Sequence, residues 1–144
     1  MTMDNANSLS FRFEVDGNDF TSAGAASVQV KKILRRIGLD AEVIRRVSIA
    51  MYEAEINMVI HAGGGVAEVF ITPEKITMVM TDTGPGIADI ELAMREGYST
   101  APDNIRSLGF GAGMGLPNIK RYTDELNIDS KVGKGTVITM SVNI

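Results

Sequence analysis

The run ITMVMTDTGPGIADI, residues 76–90, limits the folds open to this chain more than any other stretch. Its apolar and β-branched opening predicts a buried strand, and that strand ends on an acid, Asp82. The next turn sets Gly84 and Gly86 around Pro85, although a plain turn needs one or two such residues. A carboxylate at a strand end, pointing into a pocket, accepts hydrogen bonds from an amino group and rejects a carbonyl. Gly84 lets a flat group approach the backbone, and Gly86 permits a positive φ. The segment reads either as a turn over-supplied with glycine or as the floor of a pocket.

The rest of the chain supplies elements to build around that strand. Leu9, Phe11, Phe13 and Val15 alternate with polar residues, as in a half-buried strand. From Phe20 to Ile37 the apolar positions Val30, Ile33, Leu34 and Ile37 follow helical spacing, and Gly38 supplies a stop. Asp40 suits the N-cap of a second helix, from about Ala41 to His61, with Ile44, Val47, Met51, Ala54 and Met58 as its core stripe. Gly63, Gly64 and Gly65 end it. Val66–Ile71 and Ile76–Met80, separated by TPEK, read as a hairpin. Asp89 suits the cap of a short helix from Ile90 to Arg95. A third long helix is expected from Leu116 to about Glu125, then strands near Leu126–Lys131 and Thr136–Asn143 around the turn VGKG. This order predicts a single-domain α/β (α+β) two-layer sandwich, with a mixed, mostly antiparallel sheet and helices on one face. Residues 1–7 are expected to be disordered.

Composition removes several function classes. A chain of 144 residues is long enough for one domain with a real core. A net charge of −4 argues against a nucleic-acid binder or a membrane-surface binder. There is no cysteine, hence no disulfide framework or thiolate site, and the lone His61 cannot build a zinc site of the usual nitrogen and sulfur kind. The N-terminus MTMDNANSLS lacks the regions of a signal peptide, and nothing approaches the roughly 20 apolar residues of a membrane span. The chain reads as soluble and cytoplasmic.

Three further motifs accompany the aspartate turn. Glu53 and Asn57, in YEAEINMVIHA, share a helix face at spacing i, i+4, beside the apolar stripe. They read either as a solvated face or as a base and a hard-metal ligand one turn apart. Glu55 falls on a different face and is expected to be solvent-exposed. GFGAGMG, Gly109 to Gly115, directly precedes the helix at Leu116, where bare backbone N–H groups can cradle phosphate. It fits neither GxGxxG, because residues 114 and 116 are Met and Leu, nor GxxxxGK[ST]. GKGT, ending at Thr136, reads as a hairpin turn, or as a place from which the Thr136 hydroxyl supports Asp82 on a neighbouring strand.

The order of these motifs resembles the Bergerat-fold ATPases: ExxxN on a helix, then DxGxG, then GxGxG before a helix, then GxGT. That superfamily includes gyrase, the heat-shock ninety-kilodalton chaperones, mismatch-repair ATPases and sensor histidine kinases. The resemblance extends from the first strand to the last. Gyrase-like and chaperone-like members carry a transducer domain for which this length has no room, and His61 lies in the nucleotide-side helix rather than on a dimerising hairpin. The runs DTGPGIADIELAMREGYST, GMGLPNIKRYTDEL and GKGT look most like the stand-alone anti-sigma-factor and stressosome-type switch serine kinases of bacteria.

The resemblance implies ATP/ADP and Mg²⁺ as cofactors. Asp82 would accept the adenine amine, with Gly84, Gly86 and Ile87 around the ring and ribose and Thr136 supporting the site. Asn57 would give an oxygen to Mg²⁺, and Glu53 would be the general base. Residues 98–115 would form a mobile lid over the phosphates. Within and beside that lid, Ser99, Thr100, Arg106, Gly111, Gly113, Met114, Gly115 and Leu116 would be nucleotide-side positions. Arg106 is assigned by analogy with a lid arginine, and Gly109 and Gly111 serve either as lid spacers or as phosphate contacts. Two features depart from the family pattern: Tyr52 stands where a small residue usually precedes the base, and APDNIRSLGFGA lengthens the lid. The implied function is an ATP-dependent protein serine/threonine kinase acting on a serine of a small antagonist protein. A sigma factor or a downstream phosphatase is a further implied partner, and homodimers occur among related kinases. The alternatives are a nucleotide-dependent binding protein that sequesters a sigma factor or other partner, and a bare ATP hydrolase or degenerate nucleotide sensor; the intact Glu53 argues against degeneracy and does not separate kinase from binder.

Overall fold

The computed structural model describes residues 8–17, 23–87, 89–90, 94 and 115–144. Within them the elements run β1 (Leu9–Asp16), α1 (Ala25–Ile37), α2 (Ala41–Ala62), β2 (Gly64–Ile71), β3 (Lys75–Asp82), α3 (Gly115–Tyr122), β4 (Glu125–Lys131) and β5 (Gly135–Asn143). The five strands form one sheet in the order β1-β2-β3-β5-β4. All four pairings are antiparallel, so the described sheet holds no parallel pair of the kind a mixed sheet includes.

Register places every second side chain under the helices. Phe11, Val69, Met78, Met140 and Leu126 lie in one row across the sheet, and Phe13, Ala67, Met80, Ile138 and Ile128 lie in the next. A slip of one residue in any strand would turn its apolar set to the other face, so this pattern fixes the register. The central helix α2 lies over these rows with α1 on one flank and α3 on the other. Its expected stripe, Ile44, Val47, Met51, Ala54 and Met58, is buried in full. In α1, Val30 and Leu34 are buried and Ile33 packs at the edge, whereas Ile37 is 43% exposed at the end of the helix.

The widest differences from the expected boundaries are at two helix ends. Helix α1 starts at Ala25; of the longer span expected, residues 20–22 lie outside the described residues. Helix α3 stops at Tyr122, three residues before the expected end at Glu125. The chain leaves the helix because Asp124 has better partners in the sheet. Its N–H donates to the Ser141 carbonyl at 2.8 Å, and its carboxylate accepts the Asn143 N–H at 2.7 Å and both ends of the Arg46 guanidinium at 3.3 Å.

The largest correction concerns Glu55. It is 2% exposed rather than solvent-facing. Its carboxylate accepts the N–H groups of Gly24, Ala26 and Ser27 at 2.9, 3.2 and 2.9 Å and the Ser27 hydroxyl at 2.7 Å. The first turn of any helix leaves N–H groups without intrahelical acceptors and carries the positive end of the helix dipole. A buried carboxylate from α2 satisfies both needs of α1. Among the described residues no buried side-chain nitrogen or oxygen lacks a hydrogen-bond partner. The expected disorder of residues 1–7 and nearly all of the expected helix from Ile90 to Arg95 fall outside the described residues, although Met94 N–H donates to Ile90 at 3.0 Å.

Candidate functional site

Two constellations form at one end of the sheet, linked by the last turns of α2. The first is built around Asp82. β3 and β5 pair Asp82 with Thr136, so the carboxylate stands at the strand end. Its Oδ1 accepts the N–H of Gly84 at 3.0 Å and the N–H of Thr136 at 3.2 Å. One carboxylate oxygen thus fixes both the turn that follows β3 and the start of β5. The Thr136 contribution differs from the expected one: its backbone reaches Asp82, while its hydroxyl pairs with the Ser130 hydroxyl at 2.8 Å.

Ser130, on β4, is a residue that sequence reading missed. Its hydroxyl oxygen accepts the Ile87 N–H at 2.7 Å, besides meeting Thr136 and, at 3.3 Å, the Gly135 carbonyl. It therefore anchors Ile87 and the end of the Asp82 turn to the edge of the sheet. No spacing rule marks it, because its partners lie on two other segments, the turn after β3 and the start of β5.

The glycines of this turn have local reasons to be glycine. A Cβ on Gly84 would stand 2.5 Å from the Cβ of Ala62 and 3.3 Å from Asp82 Oδ1, so the bare backbone is what lets the turn lie against the end of α2. Gly86 has φ 79, and a Cβ there would stand 2.4 Å from the Lys131 carbonyl oxygen. The expected positive φ is present, and the close approach is to the β4–β5 turn. His61 sits half-buried nearby. Burial lowers its pKa, and the opposing charge of Asp82 offsets part of that.

The second constellation joins α2 to α3. Glu53 and Asn57 lie on the α3 side of α2, half-buried, and not on a free solvated face. A Cβ on Gly115, the first described residue of α3, would be 3.5 Å from Asn57 Oδ1 and 3.6 Å from Glu53 Oε2. A carboxylate, an amide and a bare helix start therefore border one space. Asn118, also missed from sequence, turns its Nδ2 toward Glu53 Oε1 at 3.5 Å. Burial pushes the Glu53 carboxyl up, and the Asn118 hydrogen bond offsets part of that rise.

Of the other expected site residues, Leu116 is buried in the core at the start of α3. Ser99, Thr100, Arg106, Gly111, Gly113 and Met114, and residues 98–114 of the expected lid, lie outside the described residues. Among the described residues no group of three or more His, Cys, Asp or Glu is placed to hold a metal ion, so a cation here would rest on Asn57 and on its own ligand.

An acid at the end of β3 and an ExxxN face beside the start of a helix, on an antiparallel sheet covered by helices, is the arrangement that the ordered motifs implied. Residues 18–142 match the histidine kinase-like ATPase domain. The chain belongs to that family. Relatives include an anti-sigma F factor of Caldanaerobacter subterraneus subsp. tengcongensis, 36% identical over 105 residues, which span 69% of this chain and 70% of the relative. The serine/threonine-protein kinase RsbT of Bacillus subtilis is 31% identical over 112 residues, 75% of this chain and 78% of that one. Among solved structures, one of the RsbU and RsbW domains of a Mycobacterium tuberculosis protein aligns with TM-score 0.63 at 17% identity. The alignment covers 93% of this chain and 32% of the other, which supports the fold alone. No described helix is long and apolar enough to cross a membrane.

Proposed function

We propose that this member of the family is an ATP-dependent protein serine/threonine kinase that regulates a partner-switching pathway in the cytoplasm. The observation that carries the reading is the meeting of Glu53, Asn57 and Gly115 around one space. The donor set fits the cofactors. Asn57 offers a neutral oxygen of the kind that hard cations accept, and a Mg²⁺ held there would need its other oxygen ligands from the nucleotide and water. The start of α3 offers N–H groups to phosphate, and Asp82 offers an acceptor to an exocyclic amine. When bound, Mg-ATP supplies the phosphoryl group.

The chain's own part is positioning and proton transfer. Glu53 takes the proton from the serine hydroxyl of the protein substrate as that oxygen attacks. A half-buried carboxylate with a raised pKa is a stronger base than a solvated one, which suits this work. Asp82 selects adenine, held in place by Gly84, Thr136 and, through Thr136, Ser130. Gly111, Gly113, Met114 and Arg106 are proposed to close over the phosphates. The substrate is a small antagonist protein with an acceptor serine, and a sigma factor or a phosphatase is the further partner.

The anti-sigma F factor name of one relative supports a second reading, a binding protein that sequesters a sigma factor, with nucleotide setting its shape. One experiment separates the two. The protein is incubated with γ-labelled ATP, Mg²⁺ and a candidate antagonist protein that carries an acceptor serine. Label on a serine of the antagonist supports the kinase; Mg-ATP-dependent complex formation without label favours sequestration.

A further inference from the structure

We propose that Asn118 is a positioning residue that aims the Glu53 carboxylate, with Arg121 in turn orienting Asn118. The role in transfer rests on the reading of Glu53 as the base; the contact itself does not.

The inference comes from donor and acceptor inventory. Arg121 Nη1 donates to Asn118 Oδ1 at 3.3 Å, and Asn118 Nδ2 points at Glu53 Oε1 at 3.5 Å. A guanidinium can only donate and an ionised carboxylate can only accept. An asparagine between them satisfies both in one orientation alone, oxygen toward Arg121 and nitrogen toward Glu53. Residues 118 and 121 stand one turn apart on α3, so the helix itself sets their spacing. Because α3 packs against α2, the relay reaches the base without leaving these two helices.

The relay also explains why an amide, and not the arginine itself, faces Glu53. A guanidinium placed directly on the carboxylate would hold it ionised but pin its lone pairs and weaken it as a base. An interposed amide occupies only Oε1, which leaves Oε2, the oxygen bordering the Gly115 space, for a substrate proton.

Two measurements test this. In ¹⁵N–¹H spectra of the nucleotide-free protein, the Asn118 side-chain amide is assigned by its loss in Asn118→Leu. Glu53→Ala should move those resonances upfield; unchanged resonances would overturn the contact. In transfer assays, Asn118→Leu should lower kcat about tenfold or more with KM for ATP unchanged, as misaimed groups do. Asn118→Asp should lower kcat further, because it keeps the acceptor for Arg121 yet turns a negative charge on Glu53. A merely structural role for Asn118 predicts the opposite order, with Asp better tolerated than Leu, and that result would overturn the positioning role. Full transfer by Glu53→Ala would instead remove the base assignment, and the amide resonances would still decide the contact.

Discussion

Glu55 and Ser27 are joined twice: one carboxylate oxygen accepts the Ser27 hydroxyl at 2.7 Å and the Ser27 N–H at 2.9 Å. The same side chain closes the first turn of α1 through Gly24 and Ala26, so a single buried acid ties the start of α1 to α2.

Removing that acid leaves several buried N–H donors without partners. Glu55→Ala should cost about 3–5 kcal/mol, the usual loss when one side of a buried charged hydrogen-bond set is deleted. Glu55→Gln, which keeps one acceptor oxygen, should lose less, and Ser27→Ala about 1 kcal/mol. Urea titration at constant slope measures all three. A Glu55→Ala midpoint within error of wild type would mean that the carboxylate does not hold α1.

Asp82 does two jobs that a conservative change separates. Its Oδ1 holds the Gly84 and Thr136 N–H groups, which an asparagine oxygen can also do. Its second carboxylate oxygen is what would accept an adenine amine, and asparagine puts a donating NH₂ group there. Asp82→Asn should therefore fold normally, yet bind ADP roughly tenfold or more weakly, since a hydrogen bond to a charged group contributes about 1.5–3 kcal/mol. Calorimetry with ADP and GDP on both proteins checks this. Equal wild-type affinity for the two nucleotides would refute the adenine assignment.

Asp124 gives a stability prediction with a definite sign. The Asn143 N–H, chiefly, and Arg46 hold its carboxyl below the usual carboxylate range. A folded-state pKa below the unfolded one adds stability above the unfolded value, and that stability is lost as pH falls through the folded value. Wild-type stability should thus decline below about pH 4, the ordinary aspartate range. Asp124→Asn should show a shallower decline there. Parallel acid limbs for the two proteins would rule this out.

How much of this was legible in the sequence depends on the kind of signal. The α2 stripe, the two hairpins and the Asp82 turn follow from periodicity and turn chemistry, which are local. Glu55 was not legible because its donors lie 28 to 31 residues earlier, and a glutamate beside an apolar stripe looks solvated until the start of α1 is placed against it. Ser130 and Asn118 are hidden for the same reason: each is an ordinary polar residue whose meaning lies in partners from other elements. The end of α3 was overrun because Thr123 and Asp124 carry no strong stop signal, and the sheet contacts of Asp124 decide it. The ordered motifs that carry the family are legible because each is a short local pattern.

Glu53 and Asn57 border the same space but are assigned different work, so their variants should separate. Glu53→Ala should keep nucleotide and partner binding and lose about 10²- to 10⁴-fold in transfer, the usual contribution of a positioned general base. Asn57→Ala should lose Mg²⁺-dependent nucleotide affinity and transfer together. The wild-type pH profile adds an independent check. Burial raises the Glu53 pKa, so the carboxylate gains its proton at a higher pH than a solvated glutamate does. As pH is lowered, kcat/KM should begin to fall above the ordinary glutamate range of about 4.3. That acid limb should vanish from the residual activity of Glu53→Ala. Transfer rates for the three proteins across the acid range, run beside ADP titrations with and without Mg²⁺, decide the matter. If both variants bound nucleotide and transferred phosphate as wild type does, the α2–α3 space would be a packing feature and the kinase reading would lose its base.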